Sequence, residues 1–175
     1  MSDSGATDRI HGLRILAVDD EQDILETIVD VLDGAIVDGA RTYEEAVDWL
    51  TLTEADESIG PKYDVAVLDI MGVDGMALLD MTVSQGIPTV MLTAHAMNPK
   101  TLRASIERGA QSYLPKEELA NLAEHIADVL DAAEHGQSTW TRLFNRMGSF
   151  FEKAFTPSWK QDDPEFWAHY YTSIM

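Results

Sequence analysis

Six side chains have the types and spacing for chemistry: Asp19, Asp20 and Glu21 in AVDDE, Asp69 in VLDIM, Thr93 in MLTA and Lys116 in GAQSYLPK. Each lies at the end of a short apolar run. Carboxylates crowded together repel unless they are protonated or bridged by a cation, and oxygen-only ligands with room for water suit Mg²⁺. A carboxylate beside such an ion can attack phosphorus, and the acyl phosphate formed then needs positive charge and a hydrogen-bond donor at its oxygens. Lys116 and Thr93 would supply these. A nucleotide-binding fold would instead place glycines after the first strand, so that backbone amides cradle phosphate. Asp19-Asp20 would repel a phosphate there, and neither GxGxxG nor GxxxxGK[ST] occurs. None of the five histidines (His11, His95, His125, His135, His169) has ligand spacing with another, so they are read as structural or solvated.

The elements that must hold these groups follow from periodicity. Five apolar runs have strand character, at Leu13–Val18, Ala35–Val37, Val65–Leu68, Pro88–Leu92 and Ser112–Leu114, and each leads into a segment with helical spacing. Ile24, Ile28, Val31 and Leu32 share one helical face before Gly34, and Ala46, Trp49 and Leu50 do so after Thr42 and Glu45. Later helices are expected at about 75–85, 98–108 and 117–134. The stretch Thr53–Lys62 breaks periodicity at Gly60-Pro61 and reads as a surface loop. Alternating strands and helices predict an α/β fold, a (βα)₅ doubly wound parallel sheet with right-handed crossovers. Ligands of such sheets bind at the carboxyl ends of the strands, where the acidic groups fall.

Taken one at a time, these residues have plainer readings. Asp20 and Asp23 could cap the first helix, Asp69 could be a turn residue and Thr93 a strand-packing residue. Their joint order at the ends of strands one, three, four and five resembles the marks of bacterial two-component response-regulator receivers of the chemotaxis-regulator kind, over about residues 13–134. The resemblance implies a flavodoxin-like sheet with strand order 2-1-3-4-5. It implies that Asp69 accepts phosphate from a histidine kinase and that Mg²⁺ is held by Asp20, by Asp19 directly or through water, by Asp69 and by the Met71 backbone carbonyl. Thr93 and Lys116 would contact the phosphoryl group, and Tyr113 would be the switch aromatic that turns inward with Thr93. In such receivers the positions of Met71 and His95 influence the lifetime of the phosphate.

Two departures from the family pattern stand out. The loop after Asp69 is the shortened IMGVDG, and Lys116 is followed by Glu117 rather than proline, so the family's cis Lys-Pro bond cannot form. One alternative is therefore a degenerate receiver acting as a constitutive interaction module. Another is a Mg²⁺-dependent phosphatase of the haloacid-dehalogenase type, but the second aspartate expected two residues after the nucleophile is here Met71.

Composition bounds the remaining readings. The 175 residues carry 31 acidic against 12 basic side chains, a formal charge of −19, which disfavours binding to nucleic acid. With no cysteine, no long apolar run and no charged-then-apolar leader, a cytoplasmic protein is expected. The charge is uneven: residues 137–175 balance Arg142, Arg146, Lys153 and Lys160 against Glu152, Asp162, Asp163 and Glu165. Ten of the 14 aromatic residues also follow residue 136. The expected organisation is a flexible arm over 1–12, a receiver over 13–136 and an aromatic-rich helical extension over 137–175. Within the extension, Trp140, Leu143, Phe144, Met147, Phe151, Ala154 and Phe155 share one face of a helix over 138–155. A second short helical segment is expected after Asp163-Pro164. So many aromatics need cover, from the receiver, a second copy or another protein, with a membrane surface the least favoured option. The expected function is a phosphorylation-controlled regulator that signals through protein–protein contacts. Its expected catalysis is confined to phosphorylation and dephosphorylation of its own Asp69.

Overall fold

A computed structural model describes residues 2–51, 63–94, 98–155 and 158–171. Five strands, β1 (Arg14–Val18), β2 (Ile36–Ala40), β3 (Val65–Asp69), β4 (Thr89–Thr93) and β5 (Ser112–Pro115), form one parallel sheet in the order β2-β1-β3-β4-β5. Parallel neighbours need crossovers, and these are helices: α2 (Gln22–Val31), α3 (Tyr43–Thr51), α4 (Gly75–Ser84) and α5 (Pro99–Glu107), with α6 (Leu122–Glu134) after β5. This is the expected doubly wound sheet in the expected strand order.

The central strands are apolar because both of their faces are covered. Every residue of β3 and β4 is buried, and one continuous core runs from Ile15 through Leu68 and Leu92 to Ile126. Each fully buried leucine or isoleucine contributes about 1.5–3 kcal/mol of transfer free energy. Two buried threonine hydroxyls, Thr82 of α4 and Thr89 of β4, satisfy each other at 2.7 Å. β2 is longer than its apolar run. Asp38 and Gly39 are poor strand formers, but each residue from Ile36 to Ala40 pairs with one of β1, and that ladder carries the strand to Ala40.

The registers bring the candidate groups to one sheet edge. Val18 pairs with Ala40, Asp69 with Leu92 and Thr93 with Pro115, so residues 19–21, 69, 93 and 116 leave the sheet at the same end. The last expected helix is divided. Lys116–Asn121 forms a 3₁₀ turn, with Glu118 off helical geometry at φ −100° and ψ 15°, before α6 begins.

The ends of the chain depart from expectation in one place and choose between alternatives in another. Residues 1–12 were expected as a flexible arm, but Ser2–Ile10 is helix α1, with Ile10 buried in the core and Arg9 paired to Glu134 of α6. Among the side chains described, only Ala6 and Ile10 are buried, too few for a local periodic signal, and the helix owes its position to the surface of α6. The extension forms α7 (Thr139–Ala154), a 3₁₀ turn at Trp159–Asp162 and α8 (Pro164–Tyr171). Its aromatic residues pack against one another and onto the chain's own receiver: Trp140, Phe144, Phe151, Phe155, Trp159 and Trp167 all join the core. The stretch Thr53–Lys62 and His95 lie outside the described residues. Among the described residues no helix is long and apolar enough to cross a membrane.

Candidate functional site

β1 ends in Val18 and the next residue, Asp19, is fully buried. Its Oδ1 accepts the Glu21 backbone N–H at 2.9 Å, which fixes the carboxylate and turns the chain into α2. Neither Asp20 nor Asp23 caps that helix. The N-cap is Glu21, without a side-chain cap, so the plainer reading of Asp20 is not realised. Asp20 is exposed at the rim, and its ligand oxygens lie within 4.8 Å of those of Asp19 and Glu21.

Asp69 ends β3 with 3% of its surface exposed. The turn behind it depends on two glycines. A Cβ on Gly75 would lie 2.0 Å from the Asp69 carbonyl oxygen, and one on Gly72 (φ +83°) would lie 2.8 Å from the Asp20 carboxylate. The backbone beside Met71 therefore borders the acidic pocket, while the Met71 side chain is exposed.

Lys116 joins these groups. Its ammonium lies 2.9 Å from Asp19 Oδ2, 3.1 Å from Glu21 Oε1 and 3.5 Å from Asp69 Oδ1. The lysine reaches the pocket directly after Pro115 without a following proline, and no peptide bond among the described residues is cis. Thr93 ends β4, 7% exposed, and its hydroxyl donates to the Ala94 carbonyl at 3.3 Å. Tyr113, in β5, is fully buried; burial pushes its phenol up to about 12, with the nearby Thr93 hydroxyl acting in the opposite direction.

The electrostatics follow from carboxylates sharing a dry site. Burial, then repulsion from Asp19, raises the Asp69 carboxyl to about 6, and Lys116 only partly offsets the rise. Asp19 is raised as well, again by burial first. Burial would lower Lys116, but its hydrogen bonds to Asp19 and Glu21 and the charges of Asp69 and Asp19 outweigh that and raise it. Asp19 Oδ2 is fully buried and is paired with the Lys116 ammonium at 2.9 Å. Hard oxygen donors at the pocket floor and the exposed Asp20 at its rim fit Mg²⁺.

One contributor was named without its role, and another was missed by sequence reasoning. Glu21 holds Lys116, and the signal for it was the third acid of AVDDE. Arg41 reaches back from the end of β2 to donate to the Asp20 carbonyl at 3.2 Å, and nothing local in the sequence marks it.

Residues 15–127 match the response regulator receiver domain family. The chain is 31% identical over 122 residues to the two-component response regulator ARR10 of Arabidopsis thaliana, covering 66% of this chain and 21% of that protein. It thus spans about a fifth of the length of the curated relatives it matches. Among solved structures it is similar to NtrX of Brucella abortus (26% identity, TM-score 0.56, 71% of this chain and 28% of that one). A response regulator receiver domain protein of Clostridium thermocellum matches in fold (24% identity, TM-score 0.58, 70% of this chain and 97% of that one).

Proposed function

Because the chain belongs to the response regulator receiver domain family, we propose that it is a switch phosphorylated on Asp69 by a histidine kinase, with Mg²⁺ held by Asp19, Asp20, Asp69 and the Met71 carbonyl. The observation that carries this reading is the buried Asp69 carboxylate held 3.5 Å from the Lys116 ammonium beside Asp19. When bound, the divalent ion would draw charge from the phosphoryl oxygens and hold them near Asp69. With its carboxyl raised to about 6, Asp69 is mostly ionised at neutral pH and remains nucleophilic. An Asp69 oxygen forms the new bond to phosphorus while the bond from phosphorus to the donor's nitrogen breaks, and the nitrogen leaves with its electron pair. Lys116 neutralises the transferred group, and the Thr93 hydroxyl turns from the Ala94 carbonyl to donate to a phosphoryl oxygen.

Catalysis is confined to this gain and loss of the chain's own phosphoryl group. The output is contact with protein, through residues 137–175 or by self-association, since the net charge of −19 opposes nucleic acid. Residues 13–136 are read as the receiver unit of a cytoplasmic protein. The degenerate-receiver alternative rests on the short loop and the missing proline, but the contacts of Lys116 with Asp19 and Asp69 are made without either. A haloacid-dehalogenase-type phosphatase lacks its second acid, since Met71 occupies that position.

The test is radiolabelling with phosphoramidate and Mg²⁺. The reading expects acid-stable, hydroxylamine-labile label in wild type and none in Asp69→Asn. Label that persists in Asp69→Asn would overturn it.

A further inference from the structure

The two edges of the sheet differ. All four residues of β5 are buried, whereas β2 is largely accessible and, among the described residues, is paired on one side only. The Ile36 N–H donates to the Leu13 carbonyl at 2.7 Å, and the Ala40 carbonyl accepts from the Asp19 N–H at 3.0 Å. In a parallel strand the two backbone groups of a residue point the same way, and the direction alternates along the chain. Ile36, Asp38 and Ala40 therefore bond to β1, and the N–H and carbonyl groups of Val37 and Gly39 face away from the sheet. Groups presented in this way are a template for one more strand.

The ground beside this edge is open as well. Gly39 is exposed and lacks the side chain that would lie over Leu25 of α2, whose nearest carbon would be 3.6 Å from a Cβ there. A groove of about 380 Å³ runs between Gly39 and the flank of α2 that carries Glu26, Val29 and Asp30, with Arg41 and Glu45 at the carboxyl end of the strand. Two exposed large apolar side chains flank the edge: Val29, 51% exposed, on the α2 side, and Ile36, 52% exposed, on the opposite face of β2 from Gly39.

The charge around the edge is of one sign. Between residues 20 and 48 the chain carries ten acidic side chains and one basic one, Arg41, whose guanidinium donates to the Asp20 carbonyl at 3.2 Å. Such a field attracts a cationic segment and repels a second copy of the same face, a nucleic acid or an anionic membrane. The acids that keep two copies from pairing edge to edge admit a strand of opposite charge.

We propose that β2 is a docking edge for a basic, extended segment of another protein, which adds to the sheet as a strand beyond β2. Main-chain hydrogen bonds to Val37 and Gly39 set its register, and its alternate side chains enter the groove, apolar ones against Leu25 and Val29 and cationic ones against Glu26 and Asp30. The inference is independent of the reading of Asp69, since no group in this groove receives phosphate.

The test uses the full chain, labelled with ¹⁵N, and two synthetic peptides followed by NMR titration and amide exchange. One peptide alternates lysine and valine; the other is its fully N-methylated analogue, which keeps the charge and loses every backbone donor. Expected are saturable shifts centred on residues 36–40 with the first peptide and slower exchange of the Val37 and Gly39 amides. The N-methylated analogue should bind about tenfold more weakly, the effect of about two net hydrogen bonds. Glu26→Gln/Asp30→Asn, at two exposed positions, should weaken the first peptide by a similar factor. Equal binding of the two peptides, or shifts spread over the acidic surface without protection of Val37 and Gly39, would reduce the edge to plain charge attraction and overturn the inference. An unchanged affinity in the Glu26→Gln/Asp30→Asn variant, or no saturable binding at millimolar peptide, would overturn it too. Protection of the same two amides that rises with protein concentration in the absence of peptide would assign the edge to a second copy, and so defeat it.

Discussion

Replacing Asp69 with asparagine is expected to stabilise the protein at neutral pH in the absence of divalent cations. The Asp69 carboxyl titrates at about 6 in the fold against 3.8 in its ordinary state, chiefly because burial beside Asp19 disfavours the charge. At about 1.4 kcal/mol per pH unit, the charged form costs roughly 3 kcal/mol on folding. The native state holds its proton to higher pH than the unfolded chain, so stability falls as pH rises from 3.8 to about 6 and stays lowered above that. Asparagine keeps the shape and has no such titration. The assay is urea unfolding of wild type and Asp69→Asn in EDTA at pH 7.5 and at pH 4. The variant should be more stable by about 3 kcal/mol at the higher pH, or roughly 6–12 °C in Tm for a chain of this size. The advantage should shrink towards pH 4, and Mg²⁺ should reduce it at pH 7.5 by binding wild type. Equal stability at pH 7.5, or a less stable variant, would refute the view that Asp69 is an electrostatically strained carboxylate.

Other expectations follow from the same geometry. Asp20→Asn, at an exposed rim position, should weaken Mg²⁺ binding by about tenfold or more with little change in Tm, measured by calorimetric titration. Gly72→Ala should cost at least about 1–2 kcal/mol, since φ is +83° and the new methyl meets the Asp20 carboxylate at 2.8 Å. It should weaken Mg²⁺ binding as well, and a variant with wild-type stability and affinity would show that the turn is not tight. Phe151→Ala, at a fully buried ring stacked on Phe155, should cost about 3–5 kcal/mol in urea unfolding. A loss below 1 kcal/mol would show that the aromatic core of the extension contributes little to the fold.

The parallel sheet was readable because β3 and β4 carry unbroken apolar runs at 65–68 and 90–92, and because Asp69, Thr93 and Lys116 sit just where those runs and β5 stop. What escaped was whatever depends on distant partners. α1 has two buried residues among the side chains described, and its helix is visible only once the surface of α6 is present. The helical face of Trp140, Phe144 and Phe151 was plain, but what it would cover was not. The complementary signal was the acid spacing Glu124, Asp128 and Asp131 on α6, matched by Arg142 and Arg146 on α7. Within the site, family spacing pointed to Lys116. The role of Glu21 in holding it, and of Gly72 in admitting the backbone to Asp20, required three dimensions.

The most direct measurement is the intact mass of wild type, Asp69→Asn and Asp20→Asn after incubation with acetyl phosphate and Mg²⁺, with and without EDTA. The account predicts one added phosphoryl group on wild type, lost with EDTA, little on Asp20→Asn and none on Asp69→Asn. An unmodified wild-type mass, or the same adduct on Asp69→Asn, would contradict it.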